Sequence, residues 1–226
     1  RGRAVMPSRT GPPTAAGRWW LLPEIDEGTT RRGHALAESL LERYGIVIRG
    51  AVAAEHTPGG FAAVYPVLRA FEENGRCRRG YFVDGLGAAQ FALPGAVDRL
   101  RSLRDAGEGH AVVLAAADPA NAYGAALPWP ETEGGHRPGR KAGALVVLVD
   151  GELTLYAERG GKTFLTWNAE RTQPAVEALA RAVREGSLGQ VTVERVNGTT
   201  VAESPLAEVL ENAGFHPTPK GFRLRR

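Results

Sequence analysis

A sequence of 226 residues suits one large domain or two small ones, and its 43% apolar and 23% charged residues are those of an ordinary globular protein. A net charge of +3 and a pI of about 9.3 permit nucleic-acid binding without demanding it. The single cysteine excludes an internal disulfide framework, and no apolar run approaches the roughly 20 residues of a membrane-spanning helix. We therefore expect a cytoplasmic protein without a membrane partner.

Residues 1–28 are rich in proline, glycine and small residues and show no sustained period. We expect them to form a linker or extended arm. Trp19 and Trp20 are expected to pack against the folded part, because burial is the usual fate of large aromatic side chains. The chain begins at Arg1 and has an internal Met6, so we expect it to be a piece of a longer protein.

Residues 29–107 carry the pattern of a winged-helix domain, the helix-turn-helix variant in which a β-hairpin follows the third helix. A first amphipathic helix ends at Gly45, and a short extended piece with a helical turn follows it. The next helix has apolar residues at helical spacing between Phe61 and Phe71. Pro94 then opens a last helix. For this helix we predict a buried stripe made of Val97, Leu100 and Leu103.

The predicted wing has two strand-like runs around a hairpin turn, the first of them residues 76–83. Alternation places Arg76 and Arg78 on one face of this strand, and Arg79 extends the positive edge. Residues 29–104 hold 11 arginines against 7 acidic residues, so the module is net positive. Wing arginines contact phosphate and give affinity that falls with salt and depends little on sequence. The candidates for nucleic-acid contact are Arg49, Arg69, Arg76, Arg78, Arg79, Arg140 and Lys141.

The helix before the wing argues against base reading. Its outward positions hold mostly alanine and glutamate, with Arg69 as the lone strong donor. A sequence-specific transcription factor usually offers Arg, Asn or Gln there. We therefore expect contact with the phosphate backbone, and a winged helix used purely for protein packing stays open as a second interpretation.

Other interpretations of the same segment are weaker. Flanking arginines would activate a thiolate, but in a strand Cys77 points away from Arg76 and Arg78, so a small buried hydrophobe is favoured. The run 79–83 matches an RNA-recognition strand only in part, because that motif needs a further aromatic residue where Asp84 and Gly85 stand. The aromatic pair of this run, Tyr81 and Phe82, is expected to anchor the wing to the helices.

Residues 110–226 predict a small α+β domain, with a barrel-like antiparallel sheet and two helices. A three-strand meander over 144–167 turns at Asp150-Gly151. One helix starts at Thr172, and a second follows Ser204-Pro205. The remaining strands are predicted at 111–117, 190–196 and 221–226. The fold class is therefore α+β, a winged-helix domain followed by this barrel-like domain.

No complete cofactor motif is present. The triplet Gly161-Lys162-Thr163 matches the end of a Walker A loop, but Tyr156 stands where the first glycine is needed, and two strands flank the segment. The five histidines are scattered, so no metal site is expected. Four carboxylates near strand ends could meet in one cleft, although turn and surface roles are commoner for such residues. They are Asp118, Asp150, Glu152 and Glu158.

Long blocks of the sequence resemble one protein family over nearly the whole chain from about Gly17. It resembles the C-terminal end of the Lhr-type (large helicase-related) ATP-dependent DNA helicases, in their long actinobacterial form. The blocks that carry the resemblance are GRWWLLP, LLERYGIVIRGAVAAE, PGGFAAVYPVLRAFEENGRCRRGYFVDGLGAAQFALPGAVDRLR, AADPANAYGAALPWP, GRKAGALVVLVDGELTLYAERGGKTFLTW, ESPLAEVLENAGF and GFRLRR.

The resemblance implies a helicase that moves 3′ to 5′ on single-stranded DNA, uses ATP and Mg²⁺, and takes part in DNA repair at the bacterial nucleoid. The motor and further winged-helix domains would lie upstream, so this chain is expected to need no cofactor of its own. DNA, single-stranded or as a tailed duplex, is the expected partner.

The same region in such proteins is similar to DNA glycosylases, and in some relatives it is associated with uracil removal. For that activity the best candidates are Asp118, Asn121 and Asp150, since no acidic residue follows Glu211. A purely structural role, as a platform for homo-oligomers, is a third expectation.

Overall fold

A computed structural model describes residues 20–24, 28–87, 89–103, 109–132 and 135–224. None of the helices in these ranges is both long and apolar enough to cross a bilayer. The helices are α1 (Thr29–Tyr44), α2 (Arg49–Ala54), α3 (Gly60–Glu73), α4 (Pro94–Ser102), α5 (Thr172–Arg184) and α6 (Leu206–Asn212). The strands are β1 (Ile46–Val47), β2 (Arg78–Gly80), β3 (Gln90–Ala92), β4 (Ala111–Ala115), β5 (Leu145–Val149), β6 (Glu152–Ala157), β7 (Thr163–Thr166), β8 (Val191–Val193), β9 (Arg195–Val196), β10 (Thr199–Thr200), β11 (His216–Thr218) and β12 (Gly221–Leu224).

The N-terminal arm is described only in part. Trp19 and most of the predicted linker lie outside the described residues. Trp20 has 77% of its surface exposed, so the prediction that it packs against the fold is wrong. Leu21 and Leu22, which follow it, are exposed as well.

The first unit has the predicted winged-helix order of α1, β1, α2, α3, two wing strands and α4. Helix α3 buries Val64 and Leu68 completely against Leu40 and Leu41 of α1. The strands form an antiparallel sheet in the order β1-β3-β2. Strand β3 lies at its centre, with Phe91 opposite both Val47 and Arg79.

The expectation for α4 is wrong. The helix forms, with Pro94 at its start, but none of its residues is buried, and Leu100 and Leu103 are 41% and 54% exposed. Periodicity alone predicted a buried stripe, whereas burial requires an element to cover it. No described element covers this face of α4.

The second unit is an α+β structure with an open sheet, which corrects the barrel-like prediction. Its six-stranded sheet has the order β10-β9-β7-β6-β5-β4, and the edge strands β4 and β10 do not meet. The meander β5–β6–β7 is antiparallel as predicted, but β9 pairs with β7 in parallel. A parallel pair needs a crossover connection, and here that connection contains α5. Helix α5 packs on one face of the sheet.

The strand predicted at 190–196 is divided between two sheets. The backbone N–H of Glu194 and that of Arg195 both donate to the carbonyl oxygen of Lys162, at 2.8 and 3.0 Å. This two-against-one pairing is a β-bulge, which bends the chain. Strand β8 therefore joins β12 and β11 in a separate antiparallel sheet, while β9 joins the large one.

One buried polar side chain organises the wing. Gln90 has no exposed surface, and its Oε1 accepts hydrogen bonds from the backbone N–H groups of Phe82 (2.9 Å) and Val83 (2.8 Å). Its Nε2 donates to the carbonyl oxygens of Val83 (2.8 Å) and Gly87 (2.9 Å). The wing strands are thus shorter than predicted, because residues 82–87 are held by this side chain and not by a strand ladder. Tyr81, predicted as an anchor, is 74% exposed.

Replacement of Gln90 by alanine should destabilise the first unit by about 1–3 kcal/mol, since it leaves part-buried backbone groups of the wing loop without their partner. The expected readout is a lower urea midpoint and faster amide hydrogen exchange in residues 81–87. The variant Gln173→Ala, on the surface of α5, is the matched control. An unchanged exchange rate in Gln90→Ala would contradict this account of the wing.

Candidate nucleic-acid interface

Two of the three wing arginines, Arg76 and Arg79, turn toward different helices, so the wing does not form the single positive edge that was predicted. Arg76 lies before β2 and turns toward α1. Its guanidinium is 2.5 Å from Glu38 and 3.2 Å from the ring nitrogen Nε2 of His34. The guanidinium also lies 4.2 Å from the ring centroid of Phe71. Arg76 therefore ties the start of the wing to α1 and α3.

Arg79 turns toward α3. It pairs with Glu72 at 3.4 Å and donates to the hydroxyl of Tyr65 at 3.3 Å. The ring of Tyr65 lies 5.8 Å from that of Phe61, and the guanidinium of Arg49 lies 5.5 Å from the Phe61 ring.

These four side chains, Arg49, Phe61, Tyr65 and Arg79, form a continuous line, here called the aromatic–arginine ridge. It runs from the start of α2, along α3, to the wing. The two cations at its ends, Arg49 and Arg79, are exposed and suit phosphate contact, whereas Phe61 between them is only 8% exposed.

The remaining cationic candidates differ in how far they are already engaged. Arg78 is exposed opposite Ala92, and no described residue pairs with it. Lys141 is exposed too, whereas Arg69 pairs with Glu73 at 3.3 Å. Arg140 donates to four backbone carbonyl oxygens of residues 117, 118, 121 and 123, at 2.6–3.4 Å. The geometry of Arg140 is that of a loop brace, and the DNA-contact role of all seven residues stays a prediction.

Cys77 is 1% exposed, and its Sγ lies 3.5 Å from the carbonyl oxygen of Leu68. Burial raises the pKa of its thiol. The prediction that it packs as a small hydrophobe is confirmed, and it offers no reactive thiolate.

The three candidates for base excision do not share one cleft. Asp118 and Asn121 lie in the loop after β4, and Asp150 lies in the turn after β5, beside the start of β4. The five residues of β4 separate these two positions by roughly 14 Å. Their polar atoms are engaged locally: Asp118 accepts from the N–H of Ala120 at 2.8 Å, and the fully buried Asn121 donates to the carbonyl of Ala116 at 2.9 Å.

Asp150 acts as an acceptor for backbone groups. Its carboxylate accepts from the N–H groups of Gly109 (3.0 Å) and His110 (2.9 Å) and lies 3.9 Å from Arg171. The hydrogen bond from Gly109, assisted by that from His110 and by the charge of Arg171, lowers the pKa of this carboxyl. The carboxylate is already occupied by two backbone N–H groups, which favours a structural role for Asp150 at this turn.

The segment Gly161-Lys162-Thr163 does not fit a nucleotide-binding loop. It turns between the antiparallel strands β6 and β7, and Thr163 is already part of β7. A Walker A loop leads from a strand into a helix, whose N-terminus holds phosphate. The described residues also contain no group of three His, Cys, Asp or Glu side chains that could hold a metal ion.

A cavity that sequence reasoning missed lies between the end of β7 and the starts of α5 and α6. It has a volume of about 270 Å³, and Trp167, Asn168, Asn197 and Ser204 contribute to its walls. Asn197 is bound to Thr166 through both ends of its amide, at 3.0 and 3.1 Å. Asn168 has a φ of 58°, and its side-chain amide has no partner among the described residues. The signal in the sequence was an asparagine directly after a strand, a residue that tolerates positive φ.

The architecture defines a class: a winged-helix unit joined to an open-sheet α+β unit. The family model described as the winged-helix domain of the large helicase-related protein matches residues 26–112. A protein of Mycolicibacterium smegmatis called Lhr helicase/probable uracil glycosylase is 50% identical over 94% of this chain. The Escherichia coli protein called Lhr helicase/uracil glycosylase is 42% identical over 98% of it. The chain belongs to the large helicase-related (Lhr) family, and it spans 15% of the length of each of these relatives.

The lowered pKa of Asp150 predicts a defined pH dependence. A depressed folded-state pKa stabilises the fold above the unfolded-state value of about 4, and this contribution is lost as pH falls through the folded-state pKa. Asp150→Asn should therefore be less stable than the natural chain at pH 7, and its urea midpoint should fall less between pH 5 and pH 3. Asp98→Asn, an exposed carboxylate on α4, is the control. Equal acid sensitivity in the Asp150 variant and the natural chain would rule out the structural role.

Proposed function

We propose that this chain is a DNA-binding region of an ATP-dependent helicase, and that it holds DNA through phosphate contacts on the winged-helix unit. The observation that carries the proposal is the aromatic–arginine ridge together with the unpaired Arg78 beside it. The ridge runs from the start of α2 along α3 to the wing, and Arg78 lies on the wing. In helix-turn-helix units the recognition helix lies against DNA and a neighbouring helix crosses the backbone. Both relatives are named as helicases, which supports the same partner.

The helicase activity itself belongs to the proposal for the whole protein. The motor, with ATP and Mg²⁺, would lie outside this chain, and the chain would correspond to the C-terminal region. A 3′ to 5′ helicase needs contact with single-stranded or tailed duplex DNA near its motor, and a winged helix can supply that contact. We propose that the whole protein acts in DNA repair at the nucleoid, in the bacterial cytoplasm.

The surface of α3 favours backbone contact over base reading. The residues exposed on it include Ala62, Ala63, Pro66 and Ala70, none of which has a side-chain donor. Arg69 is the one strong donor on this face, and it is paired with Glu73 at 3.3 Å. Bidentate donors such as free arginine or asparagine are what distinguish bases in the major groove. We infer that affinity depends little on DNA sequence.

The double variant Arg49→Gln/Arg78→Gln tests this proposal. Each phosphate contact with single-stranded DNA contributes about 0.7 to the slope of log affinity against log salt concentration. The double variant should therefore lower that slope by about 1.4 and weaken binding at every sequence tested. Fluorescence anisotropy with labelled single-stranded and tailed duplex DNA, over about 50 to 200 mM salt, gives the measurement.

Two matched variants separate DNA contact from folding. Arg76→Gln should lower the unfolding midpoint and leave the salt slope unchanged, because Arg76 serves α1 and Phe71. Arg181→Gln, an exposed cation on α5, should change neither quantity. An unchanged slope in Arg49→Gln/Arg78→Gln would reject the ridge. A DNA-independent multimer without DNA affinity would favour the assembly-platform alternative.

A second candidate function is base excision, which the names of both relatives suggest. The cavity beside Trp167 supports this candidate, because an aromatic wall and a free amide are what recognition of an extruded base requires. The residues that line the cavity include no carboxylate. A water-activating group would therefore have to come from elsewhere in the protein.

Uracil-containing single-stranded DNA, treated with the chain and then with alkali, should break at the uracil positions. Asn168→Ala should reduce the rate by roughly 100-fold, the usual effect of removing one well-placed donor. Asn212→Ala, at the end of α6, is the control and should keep the full rate. Absence of breaks at a large molar excess of the chain would reject the activity for these residues.

A further inference from the structure

A basic groove lies on the second unit, on the outer face of the small sheet. Its volume is about 530 Å³, and its walls come from the β6–β7 turn, from β8 with the bulge after it, and from the β11–β12 turn. Three cationic side chains line it, Lys162, Lys220 and Arg223. Glu194, which pairs with Lys162 at 3.2 Å, is the single carboxylate among the lining residues.

Strand alternation explains why this face is polar. Phe222 and Val193 pair across β12 and β8 and turn inward to the core, where both are buried. The next pair, Arg223 and Thr192, therefore faces outward, with His216 of β11 on the other side of Arg223. The outer face thus carries a row of hydrogen-bonding side chains across all three strands.

Two close approaches fix the lysines at opposite rims of the groove. A Cβ on Gly221 would lie 2.0 Å from the carbonyl oxygen of Val193, so only glycine lets the β11–β12 turn, with Lys220, lie this close to β8. A Cβ on Gly161 would lie 2.8 Å from Cγ1 of Val191, which brings Lys162 to the other side. The two lysines are thus positioned by the backbone.

Arg223 at the floor of the groove has an unused donor. Its Nε is buried, and no acceptor for it is present among the described residues. A buried N–H without a partner costs free energy comparable to a lost hydrogen bond, and a ligand oxygen would recover that loss. A guanidinium forms its strongest hydrogen bonds with carboxylate or phosphate.

We propose that this groove binds the phosphodiester backbone of a DNA strand, as a second contact separate from the winged helix. Phosphate contacts in DNA complexes come from arginine and lysine and from the amide and hydroxyl groups of Gln and Thr, as Gln190 and Thr192 provide here. An acidic peptide would need an apolar anchor as well, and Pro219 is the only apolar side chain among the lining residues. The choice of DNA as the ligand rests on the proposed function.

The triple variant Lys162→Gln/Lys220→Gln/Arg223→Gln tests the groove in the full chain. On labelled oligo(dT), loss of three phosphate contacts should lower the salt slope by about 2 and weaken binding at 0.1 M salt roughly 100-fold at most. Arg181→Gln is the control for an exposed cation on the same unit. An affinity and slope equal to those of the natural chain would overturn the groove.

A gain of affinity provides a test that does not depend on the folding of the triple variant. Glu194→Gln removes the single carboxylate among the lining residues and its repulsion of phosphate, so binding to oligo(dT) should strengthen by up to about 5-fold, the effect of one unit of charge. Unchanged or weaker binding in this variant would contradict the proposal.

The groove and the ridge are separated by comparing the triple variant with Arg49→Gln/Arg78→Gln. Loss of affinity only in the ridge variant rejects the groove and keeps the proposed function. Loss only in the groove variant keeps DNA binding but moves it away from the winged helix. If the triple variant binds DNA normally and loses affinity for polyglutamate, the groove binds an acidic protein segment and the proposal is rejected.

Discussion

Packing of α5 is the interaction on which the second unit depends. Val176, Leu179 and Val183 are fully buried on its inner face, in one core with residues of both sheets. Full burial of an aliphatic side chain contributes roughly 1.5–3 kcal/mol, so this face alone contributes several kcal/mol before entropic costs. The helix also makes the crossover that places β9 parallel to β7. The small sheet, and with it the basic groove, is held in position by the same apolar surface.

Local rules predicted the elements of this chain well, and tertiary rules explain the failures. Helices α3 and α5 follow from apolar periodicity, and the turn at Asp150-Gly151 follows from residues that accept positive φ. Leu100 and Leu103 show the same periodicity in α4, but no described element covers them. The role of Gln90 could not be predicted from a sequence pattern. It depends on four backbone groups that the fold brings within hydrogen-bonding distance of the side chain.

Charge was the least predictable part of the candidate interface. The sequence shows which side chains are cationic, but only the structure shows which of them already serve the fold. Arg76 and Arg140 are engaged with partners inside the protein, whereas Arg78 and Lys220 are exposed. Two of the three cations in the basic groove come from turns, and the strand that carries the third, Arg223, was predicted only as a basic strand. The three cations come together because the chain bends at the Glu194 bulge, and no local sequence pattern predicted this bulge.

The amide of Gln90 has a consequence for association with a ligand. Loops that become ordered only in a complex lose conformational entropy at that moment, and this loss reduces affinity. Residues 82–87 of the wing loop are instead held in the free protein by a fully buried side chain. The conformational entropy of the wing loop is thus lost during folding and not during binding. A preformed wing can bind a DNA strand without a slow rearrangement of the loop at each association.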